Sequence, residues 1–260
     1  MHPRALHGAV LLLAICAACA PNQADVAPDG QTRQASGAQS PSATVWQLSP
    51  LALLERGNFN GVVTAGEVRR HGDLGLGAAD SLDGELVVVN GNFFQFMAGG
   101  RVQRSAPSLR LPFASVTAWE GGTSIRLPRD LVFANGLQSA IDARLPSTNA
   151  FYALRLTGRW RMVQGRTFRK QKEPYGPITP AMADTFTFTG VRGVMVGFRQ
   201  PSYMDSLSVP NYHLHFLNED STYGGHVRGF IADSVVLEYS VRPNFTLHIP
   251  LRRAPGNPVP

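Results

Sequence analysis

Apolar residues in this chain come in short runs rather than in long helical stripes. Leu86-Val87-Val88-Val89 and Phe93-Phe94-Gln95-Phe96 flank Asn90-Gly91-Asn92. Asn-Gly between apolar runs predicts a β-hairpin, because both residues tolerate the positive φ that a tight turn demands. Further strand-like runs cover Phe151 to Leu156, Thr185 to Thr189, Val194 to Arg199, Tyr212 to Leu217, Val235 to Val241 and Phe245 to Leu251. Helical signals are few. Ser49 reads as an N-cap with Pro50 at the first helical position, Leu51, Leu53 and Leu54 as the apolar face and Gly57 as the stop. Thr64 to Glu67 has capping-box spacing, with Gly72 ending that helix. Leu137 to Leu145 makes one more. The pattern predicts an α+β fold, mostly β, with two β-rich lobes over 45–146 and 147–260, a few short helices and no internal repeat.

The stretch from Ala20 to Thr44 has almost no large apolar residue and cannot bury enough surface to fold, so it reads as a flexible linker. Before it, Met1 to His7 carries one Arg, Ala9 to Ala14 is an apolar core too short to span a bilayer, and Cys16-Ala17-Ala18-Cys19 follows. That is the build of a signal peptide, with Cys19 as the acylated residue of a lipoprotein. The expectation is an exported protein of the periplasm or cell envelope, touching the membrane only through a lipid anchor. Cys16 and Cys19 are the only two cysteines of the 260 residues. The mature domain therefore has no disulfide, no thiol nucleophile and no thiolate metal site.

The net charge of +6 is spread over Arg69-Arg70, Arg159 to Arg161, Arg166 to Lys172 and Arg252-Arg253. These read as a solvated basic surface that favours a small anionic substrate, and no nucleic-acid module accompanies them. Gly72-Asp73-Leu74-Gly75-Leu76-Gly77 lacks dinucleotide spacing, and there is no Gly-x-Ser-x-Gly elbow for hydrolase chemistry.

The chemistry concentrates in the histidines. His2 and His7 leave with the signal, and three of the remaining five of the seven, His213, His215 and His226, lie within fourteen residues. Tyr212-His213-Leu214-His215-Phe216 alternates, so on a strand both imidazoles face one side. Asn218 to Gly225 is rich in turn formers, and a returning strand would set His226 beside the pair. Three neutral imidazoles with an open position describe a catalytic zinc site, though copper, nickel and iron also take imidazole. A His-x-His pair also arises by composition, and surface or satisfied histidines have the same spelling. His71, at a helix end, and His248, in an alternating strand, read as structural.

Several motifs resemble one family in order and spacing. They are His71-Gly72-Asp73-Leu74-Gly75-Leu76-Gly77, Leu82-Asp83-Gly84-Glu85-Leu86, Asn149-Ala150-Phe151-Tyr152-Ala153-Leu154-Arg155, Val196-Gly197-Phe198-Arg199, His213-Leu214-His215-Phe216 and Gly224-Gly225-His226-Val227. Together with Lys172-Glu173-Pro174-Tyr175 they resemble the alpha-acetolactate decarboxylases across roughly 45–250. The resemblance implies two β-rich lobes with a metal between them, zinc held by His213, His215 and His226, an active-site glutamate at Glu85, an active-site arginine at Arg155, and a homodimer. It implies decarboxylation of 2-acetolactate to acetoin, with Arg155 stabilising charge and Glu85 handling the proton. Ala78 stands where the family often has Thr, Arg228-Gly229 where Leu-Asp is common, and no acidic residue follows Glu238 to serve as a C-terminal metal-side glutamate. Two other readings fit the same histidines: a cupin-like metal oxygenase, and a non-catalytic surface lipoprotein that keeps the fold as a binding module.

Overall fold

The computed structural model describes residues 43–133 and 135–250; the export signal, Cys19 and most of the linker lie outside these residues. From the N-terminus the elements are β1 (Thr44–Leu48), α1 (Leu51–Glu55), β2 (Val63–Thr64), α2 (Ala65–Val68), β3 (Leu74–Ala78), β4 (Glu85–Val89) and β5 (Asn92–Phe96). Next come β6 (Val102–Arg104), β7 (Arg110–Leu111), β8 (Phe113–Thr117), β9 (Thr123–Arg126) and α3 (Asn135–Ile141). Four long or central strands follow, β10 (Phe151–Phe168), β11 (Ala183–Gln200), β12 (Asn211–Asn218) and β13 (Gly224–Arg242), and β14 (Asn244–His248) closes the series. The fold is mostly β with a few short helices, as the run lengths predict.

Seven strands form one sheet in the order β14-β1-β8-β3-β4-β5-β6. Five form a second in the order β10-β11-β12-β13-β9, and β13 also pairs with β10, so β10 to β13 close into a barrel. The sheets exchange strands: β14 runs parallel to β1 in the first sheet, and β9 pairs with β13 in the second. One apolar cluster, with Trp160, Leu214, Phe216 and Phe230, fills the barrel. A second lies between the sheets and joins Leu76, Phe96 and Phe113 of the first to Phe168, Val196 and Phe198 of the other.

Local signals held where the backbone itself enforces them. Asn90 and Gly91 take φ of 50° and 71°, making a two-residue hairpin turn between β4 and β5. Thr64 caps α2, receiving the Glu67 N–H on its hydroxyl while its own N–H donates to Glu67 at 2.9 Å. Ser49 departs from expectation. Its N–H donates to His248 O at 2.9 Å, which draws it onto the β1–β14 ladder with φ of 62°, and Pro50 takes the cap position instead. The separate runs Thr185 to Thr189 and Val194 to Arg199 are one strand, β11, and the run from Phe151 continues to Phe168. Barrel closure supplies partners on both sides of β10 and carries the strand through residues of weak local propensity.

Candidate metal centre and active site

His213 and His215 share a face of β12, while Leu214 and Phe216 pack into the barrel core. The turn after Asn218 is held by its side chain, whose Oδ1 accepts from the N–H groups of Thr222 and Tyr223. It returns the chain as β13 with His226 directly opposite His215. The three ring centroids lie 5.0 to 5.2 Å apart, and one nitrogen from each ring falls within 4.8 Å of the others. Gly225 is required beside them, because a Cβ there would meet the Phe186 ring at 2.4 Å.

The first sheet completes the site. His215 Nδ1 donates to Leu86 O at 2.7 Å, which leaves the lone pair on Nε2, a buried atom with no other partner. Glu85, one residue earlier on β4, places Oε1 3.3 Å from His226 Nδ1. Its backbone N–H donates to the Thr167 hydroxyl at 3.3 Å, and that hydroxyl donates to Phe96 O at 2.7 Å. Gly84 makes the approach possible: its φ is 86°, and a Cβ would lie 2.0 Å from Phe96 O. His71 and His248 stay away from this group and pack on Trp46, His71 stacked at 4.1 Å.

A cavity of about 240 Å³ joins these residues, walled by His213, His215, His226, Glu85 and Arg166 with an apolar side that includes Leu54, Leu76 and Phe113. Arg166 pairs with His226 across β10 and β13, so Arg166, His226 and His215 form a row over three strands. Its guanidinium lies 4.9 Å over the Phe168 ring. Arg155, expected as the active-site arginine, is not brought to the cavity. It sits opposite Val196, which in turn sits opposite His215, and that fully buried valine stands between them. The arginine position in the lining belongs to Arg166. In the sequence Arg166 belongs to a basic run that reads as solvated surface, and only the pairing with His226 marks it out. A second carboxylate, Glu55 at the end of α1, also lines the cavity, as does Ala78, which faces Glu85 across β3 and β4.

Electrostatics set the resting protonation states. Burial pushes the His213 pKa well below the ordinary imidazole value, and His226, His215 and Arg166 push it further. Burial likewise lowers His215 to about 3, against the opposing pull of Glu85. Both rings are therefore neutral and ready to act as ligands. Burial raises the Glu85 carboxyl, but His226, His215 and Arg166 together outweigh it and hold the group below its ordinary value. The site is thus two neutral imidazoles, a third beside an ionised carboxylate, and an arginine.

Comparison with known proteins places the chain from within β1 through β14 in one family. The sequence profile described as Alpha-acetolactate decarboxylase matches residues 45–254. The chain is similar to the alpha-acetolactate decarboxylase of Methylococcus capsulatus, 35% identical over 208 residues, 79% of this chain and 80% of that one. It is 32% identical to that of Bacillus subtilis over 212 residues, covering 81% and 83%. The crystal structure of acetolactate decarboxylase from Bacillus subtilis subspecies spizizenii superposes with a TM-score of 0.77 at 32% identity, over 80% of this chain and 90% of that one. With a profile match that runs from within β1 through β14 and relatives aligned over most of their own length, the chain belongs to the alpha-acetolactate decarboxylase family.

Proposed function

We propose that this protein converts (S)-2-acetolactate to (R)-acetoin and CO2 at the cavity between the two sheets, with zinc held by His213, His215 and His226. The convergence of those three rings with Glu85 and Arg166 in one cavity carries the reading. The donors suit the ion: His213 and His215 are neutral by burial, and the Leu86 contact turns the free lone pair of His215 inward. Three imidazoles without thiolate or a full carboxylate shell favour zinc over calcium or magnesium.

Zinc held by these three imidazoles would supply Lewis acidity where negative charge grows as the carboxyl group departs. Arg166 binds the substrate carboxylate with paired donors and orients it toward the apolar wall. The C–C bond to that carboxylate breaks, its electron pair enters the adjacent ketone, and an enediolate and CO2 result. Glu85 is ionised at rest, so it acts first as a base toward the substrate hydroxyl. It then returns a proton to the carbon that lost the carboxylate, from the face on which β4 holds it, and so sets the configuration. Solvent provides the one proton that the net reaction consumes.

The test is acetoin formation from acetolactate by the purified protein, before and after chelation and after zinc is restored. Loss on chelation and recovery with zinc is expected; no acetoin from the metal-replete protein sinks the reading. Stoichiometric metal without acetoin would mark a binding module, and oxygen uptake with bound iron an oxygenase. We further infer from Met1 to Cys19 that the enzyme works outside the cytoplasm on a lipid anchor at Cys19. Membrane fractionation of a Cys19→Ala variant checks this: the variant should leave the membrane fraction.

A further inference from the structure

Beside the metal cavity lies a second one of about 270 Å³ that shares Arg166 and Ile178 with it. Its other lining includes Arg228, Thr179 and Thr185. No carboxylate belongs to that lining. Asp184, next to Thr185 in sequence, is already paired with Arg169. Among the described residues neither Arg166 nor Arg228 makes a salt bridge, and Arg166 Nε is buried with no hydrogen-bond partner.

Arg228 arrives there through an irregularity in the ladder. On β10 and β13, Gly165 pairs with Val227 and Gln164 with Gly229, so Arg228 is the extra residue of a β-bulge. A bulge loosens the pairing, adds twist and re-aims a side chain, and this one lies two residues past His226. Two arginines face this cavity with no carboxylate in its wall, and an anion between them offsets their mutual repulsion. Arginines also offer the planar paired donors that fit a carboxylate, and the two threonine hydroxyls add neutral donors.

We propose that Arg228 and this second cavity form an outer carboxylate-binding site, in which a small 2-hydroxy carboxylate docks before Arg166 takes its carboxylate at the metal centre. The proposal rests on the decarboxylase reading for its natural ligand and on the bulge and the open cationic wall for its place. Arg228 is a positioning and capture residue. It raises local substrate concentration and orients the carboxylate inward, and it takes no part in breaking the C–C bond.

The test uses the full zinc-loaded protein and Arg228→Leu, with Arg228→Lys as the variant that restores charge. The probe is 2-hydroxyisobutyrate, which keeps the carboxylate and tertiary hydroxyl but lacks the ketone and cannot decarboxylate. Titration calorimetry should find its Kd about tenfold higher in Arg228→Leu, the order expected for one charge-assisted contact. Acetoin, which has no carboxylate, should inhibit both proteins equally. With acetolactate, kcat/KM should fall about as much while kcat stays near wild type, and its dependence on ionic strength should flatten. Arg228→Lys should recover most of both losses. Equal Kd for the probe in wild type and Arg228→Leu, with matching circular dichroism, overturns the outer site. Failure of the wild type to make acetoin would instead bring down the decarboxylase reading, while the comparison of probe affinities still decides on Arg228.

Discussion

Glu85 Oε1 lies 3.3 Å from His226 Nδ1, joining a side chain carried by the first sheet to one carried by the barrel. Neither sheet holds the centre alone. The three histidines proposed to hold the metal ride on β12 and β13, and the carboxylate proposed to handle the proton comes from β4. Substitutions that separate ligand binding from proton handling are therefore available.

Glu85→Gln keeps the shape of the side chain and removes its charge. The three histidines stay in place, so the variant should retain stoichiometric zinc. Turnover should fall by about 10²-fold or more, the usual scale for loss of a positioned acid–base group. Metal analysis beside an acetoin assay checks both halves, and a wild-type rate would remove Glu85 from the proton path.

His215→Ala removes a proposed metal ligand and also an imidazole that donates to Leu86 O between the sheets. Metal and activity should be lost together. Loss of that buried hydrogen bond should also cost the metal-free protein about 0.5–1.5 kcal/mol. Denaturant titration of the chelated proteins measures that second effect. An unchanged midpoint would mean that water replaces the imidazole.

Arg166 and Arg155 give opposite expectations. Arg166→Ala should lower kcat/KM by about 10²–10³-fold, the scale of losing a donor aimed at developing charge. Arg155→Met, behind Val196 and outside the cavity lining, should change kcat/KM by less than about threefold and affect mainly stability through packing. Steady-state kinetics on the two variants checks this. The reverse order would return the active-site role to Arg155.

Thr167→Val deletes the hydroxyl that accepts from Glu85 N–H and donates to Phe96 O while keeping the branched shape. It should destabilise the protein by about 1–2 kcal/mol, and kcat should fall with zinc still bound, because the start of β4 loses its anchor to β10. Thr167→Ser should restore both. Equal loss in the valine and serine variants would point to packing rather than the hydroxyl.

Acid should destabilise the metal-free protein in a defined window. Unfolded histidines take up protons as pH falls through 6.5, whereas folded His213 and His215 resist, the latter down to about 3. The unfolded state then binds more protons, so stability falls on acidification from pH 6.5 toward 3, by about 1.4 kcal/mol per pH unit for each such group. Glu85 adds to the loss below 4.5, since its folded pKa is lowered while the unfolded carboxyl protonates normally. Thermal melts of the chelated protein between pH 4 and 8 follow this, and removing one buried ring with His213→Phe should flatten the dependence.

The sequence by itself determined what depends on neighbours along the chain. Asn90-Gly91 forced a hairpin, Thr64 and Glu67 capped a helix, and the two-residue spacing of His213 and His215 put both rings on one face. The turn from Asn218 even brought His226 alongside, since a short return leaves few alternatives. What only the tertiary structure decided depends on pairing between distant strands. Barrel closure set Arg166 beside His226 and put Val196 between Arg155 and the histidines. The joining of two sheets buried Glu85 beside His226, His215 and Arg166, which hold its carboxyl below the ordinary value. Register and burial are sums over partners far away in sequence, and local pattern carries neither: a one-residue shift in pairing moves a side chain to the opposite face with no change in spelling.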